Sequence, residues 1–180
     1  MEKKTLQTLV DFVTGEKVPD IGAEANRQAV ERYLVNEKGF DKTDIEVDAD
    51  IELIIGQTPY RSQIDLVVSV DEARYMAVKC AAGSLASRER EILAAARLLT
   101  YYQIPVAAVS DGKTAIVLDT LSGKKTGEGL ESLPSRQEAR SVLKKTTLQP
   151  LPAKRLEGEK LIFRTYDMMN VNVRRNISST

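Results

Sequence analysis

The 180-residue chain has the length of a single domain, and its 42% hydrophobic and 29% charged residues are typical of a globular protein in water. The 26 basic and 26 acidic residues cancel, which excludes an overall electrostatic attraction to nucleic acid or membranes; a nucleic-acid partner would require a local basic surface. The absence of histidine excludes Ser-His-Asp and Cys-His catalysis and histidine-ligated zinc, so any metal would have oxygen ligands, which favours Mg²⁺ or Mn²⁺.

The cysteine content and the hydropathy pattern indicate a compartment. Cys80 is the only cysteine and cannot form a disulfide within the chain, which is typical of a reducing environment. The N-terminus lacks the apolar region of a signal peptide, and no segment reaches the about 18 uninterrupted apolar residues of a membrane span. We therefore expect a cytoplasmic protein without a membrane partner.

The first elements are a short segment and a helix. Residues 4–18 are compatible with either a short helix or an edge strand, and the pattern does not distinguish them. A helix is predicted to begin near Gly22 or Ala23 and to end at about Lys38, before Gly39. The spacing of its apolar residues leaves three residues on the solvent side: Glu31, Arg32 and Asn36.

The first turns of this helix contain an acid, a cation and an amide. Glu24 lies three residues before Arg27 and four before Gln28, so the three side chains share one patch. From residue types alone, the pattern is explained by an acid near the positive end of the helix dipole and a local ion pair.

Three strands are predicted next, over residues 44–55, 61–70 and 75–80, with turns near residues 56–59 and 71–74. Successive strands with short turns predict an antiparallel meander. Asp65 lies on the second strand and Lys79 on the third. Because side chains alternate along a strand, Ala77 and Lys79 lie on the same face.

A helix capped by Ser84 or Ser87 follows and is predicted to end before Pro105. Residues 106–109 and 115–118 form a hairpin around an Asp-Gly turn, with a further turn at residues 122–125. The long helix supplies the crossover that a parallel fourth strand needs. The fold class is therefore predicted as α/β (α+β), a mixed sheet between helices.

The last third of the chain is predicted to be helical. A capped helix begins at Ser135 and ends at about Lys145, and residues 149–152 form a linker to an amphipathic helix over residues 153–170. We expect residues 1–148 to form the main domain and residues 149–180 a C-terminal helical extension. The apolar side chains expected to be buried in the last helix are Leu156, Ile162, Phe163 and Tyr166.

An acid on one strand and an x-x-Lys tripeptide on the next resemble the site of the PD-(D/E)xK nucleases. More narrowly, residues 15–124 are similar to the N-terminal nuclease domain of type I restriction enzyme R subunits. The similar pieces are Glu24-x-x-Arg27-Gln28, Tyr33-Leu34, Gly39-Phe40, residues 63–68, Val78-Lys79-Cys80 and residues 116–119. The resemblance implies a restriction-endonuclease-like fold, and the order of these short motifs carries more weight than any single one.

The resemblance also implies roles for individual residues. Asp65 would ligate Mg²⁺ or Mn²⁺, Lys79 would position or activate the attacking water, and Glu24 would add an acid near the metal. Phosphodiester hydrolysis needs such a group, because a divalent metal neutralises developing negative charge and makes a nucleophile from water. DNA is the implied partner, with other restriction-system subunits as further candidates. The candidate nucleic-acid-binding residues are Arg27, Gln28, Gln63, Arg88 and Arg90.

Ala77 departs from the family pattern, since the family has Asp or Glu there and a methyl group cannot coordinate a metal. Glu89 and Glu91, at the start of the next helix, are the candidate substitute acids, although acids near a helix N-terminus have a simple electrostatic explanation. Asp65 and Lys79 could equally form a structural salt bridge.

Two hypotheses therefore stay open. One is a metal-dependent DNA endonuclease domain whose activity Ala77 impairs. The other is a catalytically inactive nuclease-fold module that binds DNA or protein.

Overall fold

The computed structural model describes residues 7–170. The strands in this part are β1 Thr8–Val10, β2 Lys17–Pro19, β3 Ile45–Ile55, β4 Thr58–Val70, β5 Ala73–Cys80, β6 Val106–Ser110, β7 Ala115–Asp119 and β8 Lys125–Glu128. The α-helices are α1 Glu24–Asn36, α2 Glu89–Leu98, α3 Arg136–Lys145 and α4 Ala153–Met168. Over these residues, no helix combines the length and the apolar character needed to cross a membrane.

Six strands form one mixed sheet in the order β3-β4-β5-β6-β7-β8. All neighbours are antiparallel except β5 and β6, which are parallel. The chain between β5 and β6 contains α2, the crossover that a parallel pair needs. The predicted fold class, a mixed sheet flanked by helices, is confirmed.

The sheet separates two hydrophobic cores. One core lies between the sheet and the helices α2 and α4, and the other lies between the sheet and the helices α1 and α3. Alternating side chains of the central strands supply both cores: Val67 and Ala77 face the first, whereas Leu66 and Val78 face the second. The fully buried Ala94, Ala95 and Ala96 allow α2 to approach the sheet closely.

Helix α4 packs into the first core. Phe163 is fully buried there and meets Tyr60 of β4 edge to face, with ring centroids 6.3 Å apart. On the neighbouring turn, Glu159 is buried and lies 2.8 Å from Arg97 of α2. The expectation that Leu156 is buried was wrong, because this side chain, in the first turn of α4, is 37% exposed.

The N-terminal segment forms strands, one of its two predicted alternatives: β1 and β2 pair antiparallel in a sheet of their own. The capping of the crossover helix was predicted incorrectly. Helix α2 begins at Glu89 after the 3₁₀ turn Ala86–Arg88, and Arg88 is its N-cap residue. The Ser87 hydroxyl instead donates to the Ser84 carbonyl at 2.8 Å.

The sequence analysis missed strand β8. Its residues are polar and contain a glycine, so neither alternation nor β-propensity marks it. It forms because the backbone of β7 offers an unpaired edge, and it becomes the outer strand of the sheet. By contrast, α3 begins as predicted, with Ser135 and Glu138 forming a capping box.

The packing of α4 can be tested by truncating its buried aromatic side chain. We expect Phe163→Ala to lower the free energy of unfolding by about 3–5 kcal/mol, because it removes a fully buried ring and leaves a cavity. Leu161→Ala, on the exposed side of the same helix, should change it by about 0.5 kcal/mol. Urea unfolding followed by circular dichroism measures both. Equal effects of the two substitutions would contradict the docking of α4 on the sheet.

Candidate functional site

The candidate site lies where β4 and β5 separate. The two strands pair as far as Leu66 opposite Val78, whereas β4 continues alongside β3 beyond that point. At this fork the carboxylate of Asp65 accepts a hydrogen bond from the backbone N–H of Cys80, with Oδ2 2.7 Å from the nitrogen. A side-chain oxygen thus satisfies a strand N–H that would otherwise lack a partner, and this bond fixes the position of Asp65.

Lys79 lies between two carboxylates. Its Nζ is 3.7 Å from Asp65 Oδ2 and 3.3 Å from Glu91 Oε1. Burial alone would lower the pKa of Lys79, but the charges of Asp65 and Glu91 outweigh burial and raise that pKa. Lys79 is therefore a cation at neutral pH, suited to holding an anion in place and unable to accept a proton.

Glu91 is the predicted substitute acid that reaches the fork. Its carboxylate is buried and receives three partners: Lys79, Arg88 at 3.4 Å and the amide of Asn170 at 2.7 Å. Glu89, two residues earlier on α2, is partly buried and lies within electrostatic reach of Lys125 instead. The structure thus separates two acids that the sequence could not distinguish.

Ala77 lies in the first core and is fully buried. It is paired with Val67 of β4 on one side and Ala107 of β6 on the other. Ala77 therefore contributes no acid to the fork, and Glu91 of α2 is an acid that lies there instead.

The fork has two carboxylates that could contribute to a metal site, those of Asp65 and Glu91. Across residues 7–170, no three acidic or cysteine side chains converge in a geometry that would hold a metal by themselves. Mg²⁺ commonly takes only one or two protein carboxylates and completes its shell with water and substrate phosphates. Asp65 Oδ1 accepts no hydrogen bond from the described residues, and the Asp65 side chain is 16% exposed, so one oxygen at the fork is available to a cation.

Arg27 is the centre of a second, buried ion cluster on α1. Its guanidinium is fully buried, with Nη2 2.6 Å from Glu24 Oε1 and 2.8 Å from Asp11 Oδ2. Glu31 and Asp48 lie farther away, at 3.7 and 3.6 Å. The Gln28 amide also donates to Glu24 at 2.9 Å and to Asp11 at 3.2 Å. Glu24 thus contacts this cluster, whereas Asp65, Lys79 and Glu91 form a separate group at the fork.

The expectation that Glu31 faces solvent was wrong, because its side chain is fully buried. The loop between β1 and β2 folds over this face of α1: Glu31 Oε2 accepts from the Val13 N–H at 3.3 Å, and the Gln28 amide oxygen accepts from the Phe12 N–H at 2.7 Å. Burial, together with the charge of Asp11, raises the pKa of Glu31 to about 7, although Arg27 acts in the opposite direction.

The predicted nucleic-acid contacts differ in exposure. Arg27 is fully buried and Gln28 is 3% exposed, so neither is open to a nucleic acid in this structure. Gln63 is exposed and donates to Asp50 at 3.0 Å. Arg90 is exposed and Arg88 partly buried, both beside the fork at the start of α2.

Asp48 is a member of the Arg27 cluster that the sequence analysis did not single out. It faces Asp65 across β3 and β4, in the gap between the pairs Val47–Leu66 and Ala49–Ile64. Its φ of 53° is left-handed, which costs a non-glycine residue about 1 kcal/mol. At this residue the apolar side chains of β3 change from one face of the sheet to the other. Ile45 contacts the second core, whereas Ala49 contacts the first. Asp48 thereby reaches Arg27 on the α1 side of the sheet.

One comparison with known proteins found a matching family. The model of one protein family, the type I restriction enzyme R protein N terminus, matches residues 22–134. No curated protein and no solved structure matches the chain. The matched residues include α1, the meander, α2 and the strands β6 to β8, and therefore all of the fork except Asn170.

The raised pKa of Glu31 predicts a pH-dependent stability. An acid with an ordinary pKa of 4.5 in the unfolded chain and about 7 in the folded one favours folding at low pH. This contribution is complete below pH 4.5 and is lost as the pH rises to about 7. We therefore expect Glu31→Gln to stabilise the protein at pH 8 by on the order of 2 kcal/mol relative to the parent.

The measurement is urea unfolding of both proteins at pH 5 and pH 8. The difference between the two proteins should shrink toward pH 5, where Glu31 is protonated in the folded state. Glu37→Gln, an exposed acid at the end of the same helix, is the control and should show no such pH dependence. A Glu31→Gln protein that is less stable than the parent at pH 8 would contradict the raised pKa.

Proposed function

Since the family match covers more than half of the 180 residues, the chain belongs to the type I restriction enzyme R protein N-terminus family, and we propose that it is a DNA endonuclease domain dependent on Mg²⁺ or Mn²⁺. The observation that carries this proposal is the position of the Lys79 ammonium between the carboxylates of Asp65 and Glu91 at the fork. An ammonium beside paired carboxylates is an arrangement suited to phosphodiester hydrolysis.

In the proposed site each residue has one task. Asp65, through its available Oδ1, and Glu91 would hold the cation. The bound metal would supply charge neutralisation at the phosphate and a nucleophile from water. Lys79 stays protonated and would orient the scissile phosphate and stabilise the negative charge that develops on it. Rigid placement of Asp65 by the Cys80 N–H favours catalysis, because the group needs no reorganisation.

The proposed DNA contact lies beside the fork. A shallow pocket of about 300 Å³ separates the start of α2 from the end of α4. Its lining residues are Ala86, Ser87, Arg88, Arg90, Tyr166 and Met169. The two arginines supply local positive charge on a chain with no net charge, and they would bind backbone phosphates rather than read bases. Other restriction-system subunits are proposed as protein partners.

Removal of the Asp65 charge tests the proposal. Asn at this position keeps an oxygen acceptor for the Cys80 N–H but no longer attracts a cation. We expect Asp65→Asn to reduce plasmid cleavage in Mg²⁺ or Mn²⁺ by at least about 100-fold and to weaken Mn²⁺ binding in calorimetry. Asp50→Asn makes the same change at an exposed strand residue bound to Gln63 and should leave both unchanged. Parental cleavage and metal affinity in Asp65→Asn would refute the endonuclease assignment.

The alternative is a nuclease-fold module without catalysis, which binds DNA or protein. Two observations favour it: Ala77 contributes no acid, and the charges of Asp65 and Glu91 are already balanced by Lys79 and Arg88. Ala77→Glu tests this alternative, with Ala77→Gln as a control of similar volume. Cleavage by Ala77→Glu alone would support a site that has lost activity. Cleavage by the parent at a comparable rate would exclude the inactive module.

A further inference from the structure

Asn170, two residues after the end of α4, contacts the fork directly, although it lies outside the family match. Asn170 Nδ2 donates a hydrogen bond to Glu91 Oε1 at 2.7 Å. The matched segment ends at residue 134, so this contact comes from a part of the chain that the family pattern does not describe. The bond links the residues directly after α4 to Glu91, the candidate substitute for an acid at Ala77.

Neighbouring contacts hold the end of α4 in place. Phe163 anchors α4 in the first core, and the Tyr60 hydroxyl of β4 donates to Asp167 Oδ2 at 2.5 Å. The backbone N–H of Asn170 donates to the Asp167 carbonyl at 3.0 Å, which ties Asn170 to the end of α4. Asn170 therefore reaches Glu91 from the end of a helix that is fixed at two points.

Glu91 needs such support more than a strand acid would. An acid at the position of Ala77 would be held by strand pairing on both sides, whereas Glu91 reaches the fork from a helix through a flexible side chain. Its ion pairs with Lys79 and Arg88 are 3.3 and 3.4 Å long, whereas the bond from Asn170 is 2.7 Å. A short bond from a neutral donor orients a carboxylate without cancelling its charge, as outer partners of metal ligands commonly do.

We propose that Asn170 is a positioning residue for Glu91, so that the residues directly after α4 complete the candidate metal site. This inference rests on the proposed function. Loss of a partner of a metal-ligating group typically weakens metal binding by about 10- to 100-fold. The same range is expected for Mn²⁺ when Asn170 loses its amide.

The test is a double-mutant cycle on the full 180-residue chain, with the dissociation constant for Mn²⁺ measured from the electron paramagnetic resonance signal of the free ion. Asn170→Ala is made in the parent and in the Glu91→Gln background. We expect it to weaken Mn²⁺ binding by about 10-fold in the parent and to have no effect when Glu91 is absent. Asn36→Ala, the same change at an exposed residue at the end of α1, should have no effect in either.

Each other outcome overturns the inference in its own way. Equal weakening in both backgrounds would mean that Asn170 acts on the fold rather than through Glu91. Unchanged or tighter binding by Asn170→Ala, in a protein that loses Mn²⁺ affinity on Asp65→Asn, would remove the role of Asn170 and leave the proposed function standing. Mn²⁺ binding that is insensitive to Asp65→Asn would remove both. Thermal unfolding midpoints confirm that the variants remain folded.

Discussion

The hydrogen bond between the Cys80 N–H and the Asp65 carboxylate is the constraint on which the candidate site depends. It ends the β4–β5 ladder at a defined residue and lets β4 continue with β3 alone. A strand N–H at this depth requires an acceptor, and a carboxylate that supplies one is held by the sheet itself. Lys79, one residue before Cys80, is thereby brought to the same point, and α2 presents Glu91 to it from the following crossover.

The Arg27 cluster fixes the opposite side of the sheet. One guanidinium meets carboxylates from the N-terminal loop, α1 and β3, so three separate parts of the chain share one buried cation. Buried ion groups add little stability compared with apolar packing, but the loss of one member leaves an uncompensated charge and is costly. The cluster therefore acts mainly to specify how the β1–β2 loop and α1 sit against β3. It also explains why Arg27 and Gln28 are enclosed rather than exposed.

The sequence predicted the parts of this structure that follow from local periodicity. Asp65 and Lys79 were found because an acid and a lysine interrupt apolar strands, and the Asp-Gly turn and the Ser135 cap carry direct signals. What escaped prediction depends on distant parts of the chain. Glu31 is buried by a loop that precedes its helix, and β8 forms by pairing with the backbone edge of β7. Glu91 is distinguished from Glu89 only by the direction in which α2 lies. The face change at Asp48 was hidden, because the apolar residues on both sides of it keep a spacing of two.

The left-handed residue in β3 has a consequence beyond the site. β3 is an outer strand of the six-stranded sheet, and a long regular outer strand of 11 residues would offer its free backbone groups to another molecule. Asp48 interrupts the regular backbone of this strand near its middle. Toward its end, Lys160 Nζ donates a hydrogen bond to the Ile54 carbonyl. Charged side chains also line β3, where Glu46 pairs with Arg74 and Glu52 with Arg61. The same irregularity that turns Asp48 toward Arg27 thus makes the free edge of β3 a poorer template for pairing with another strand.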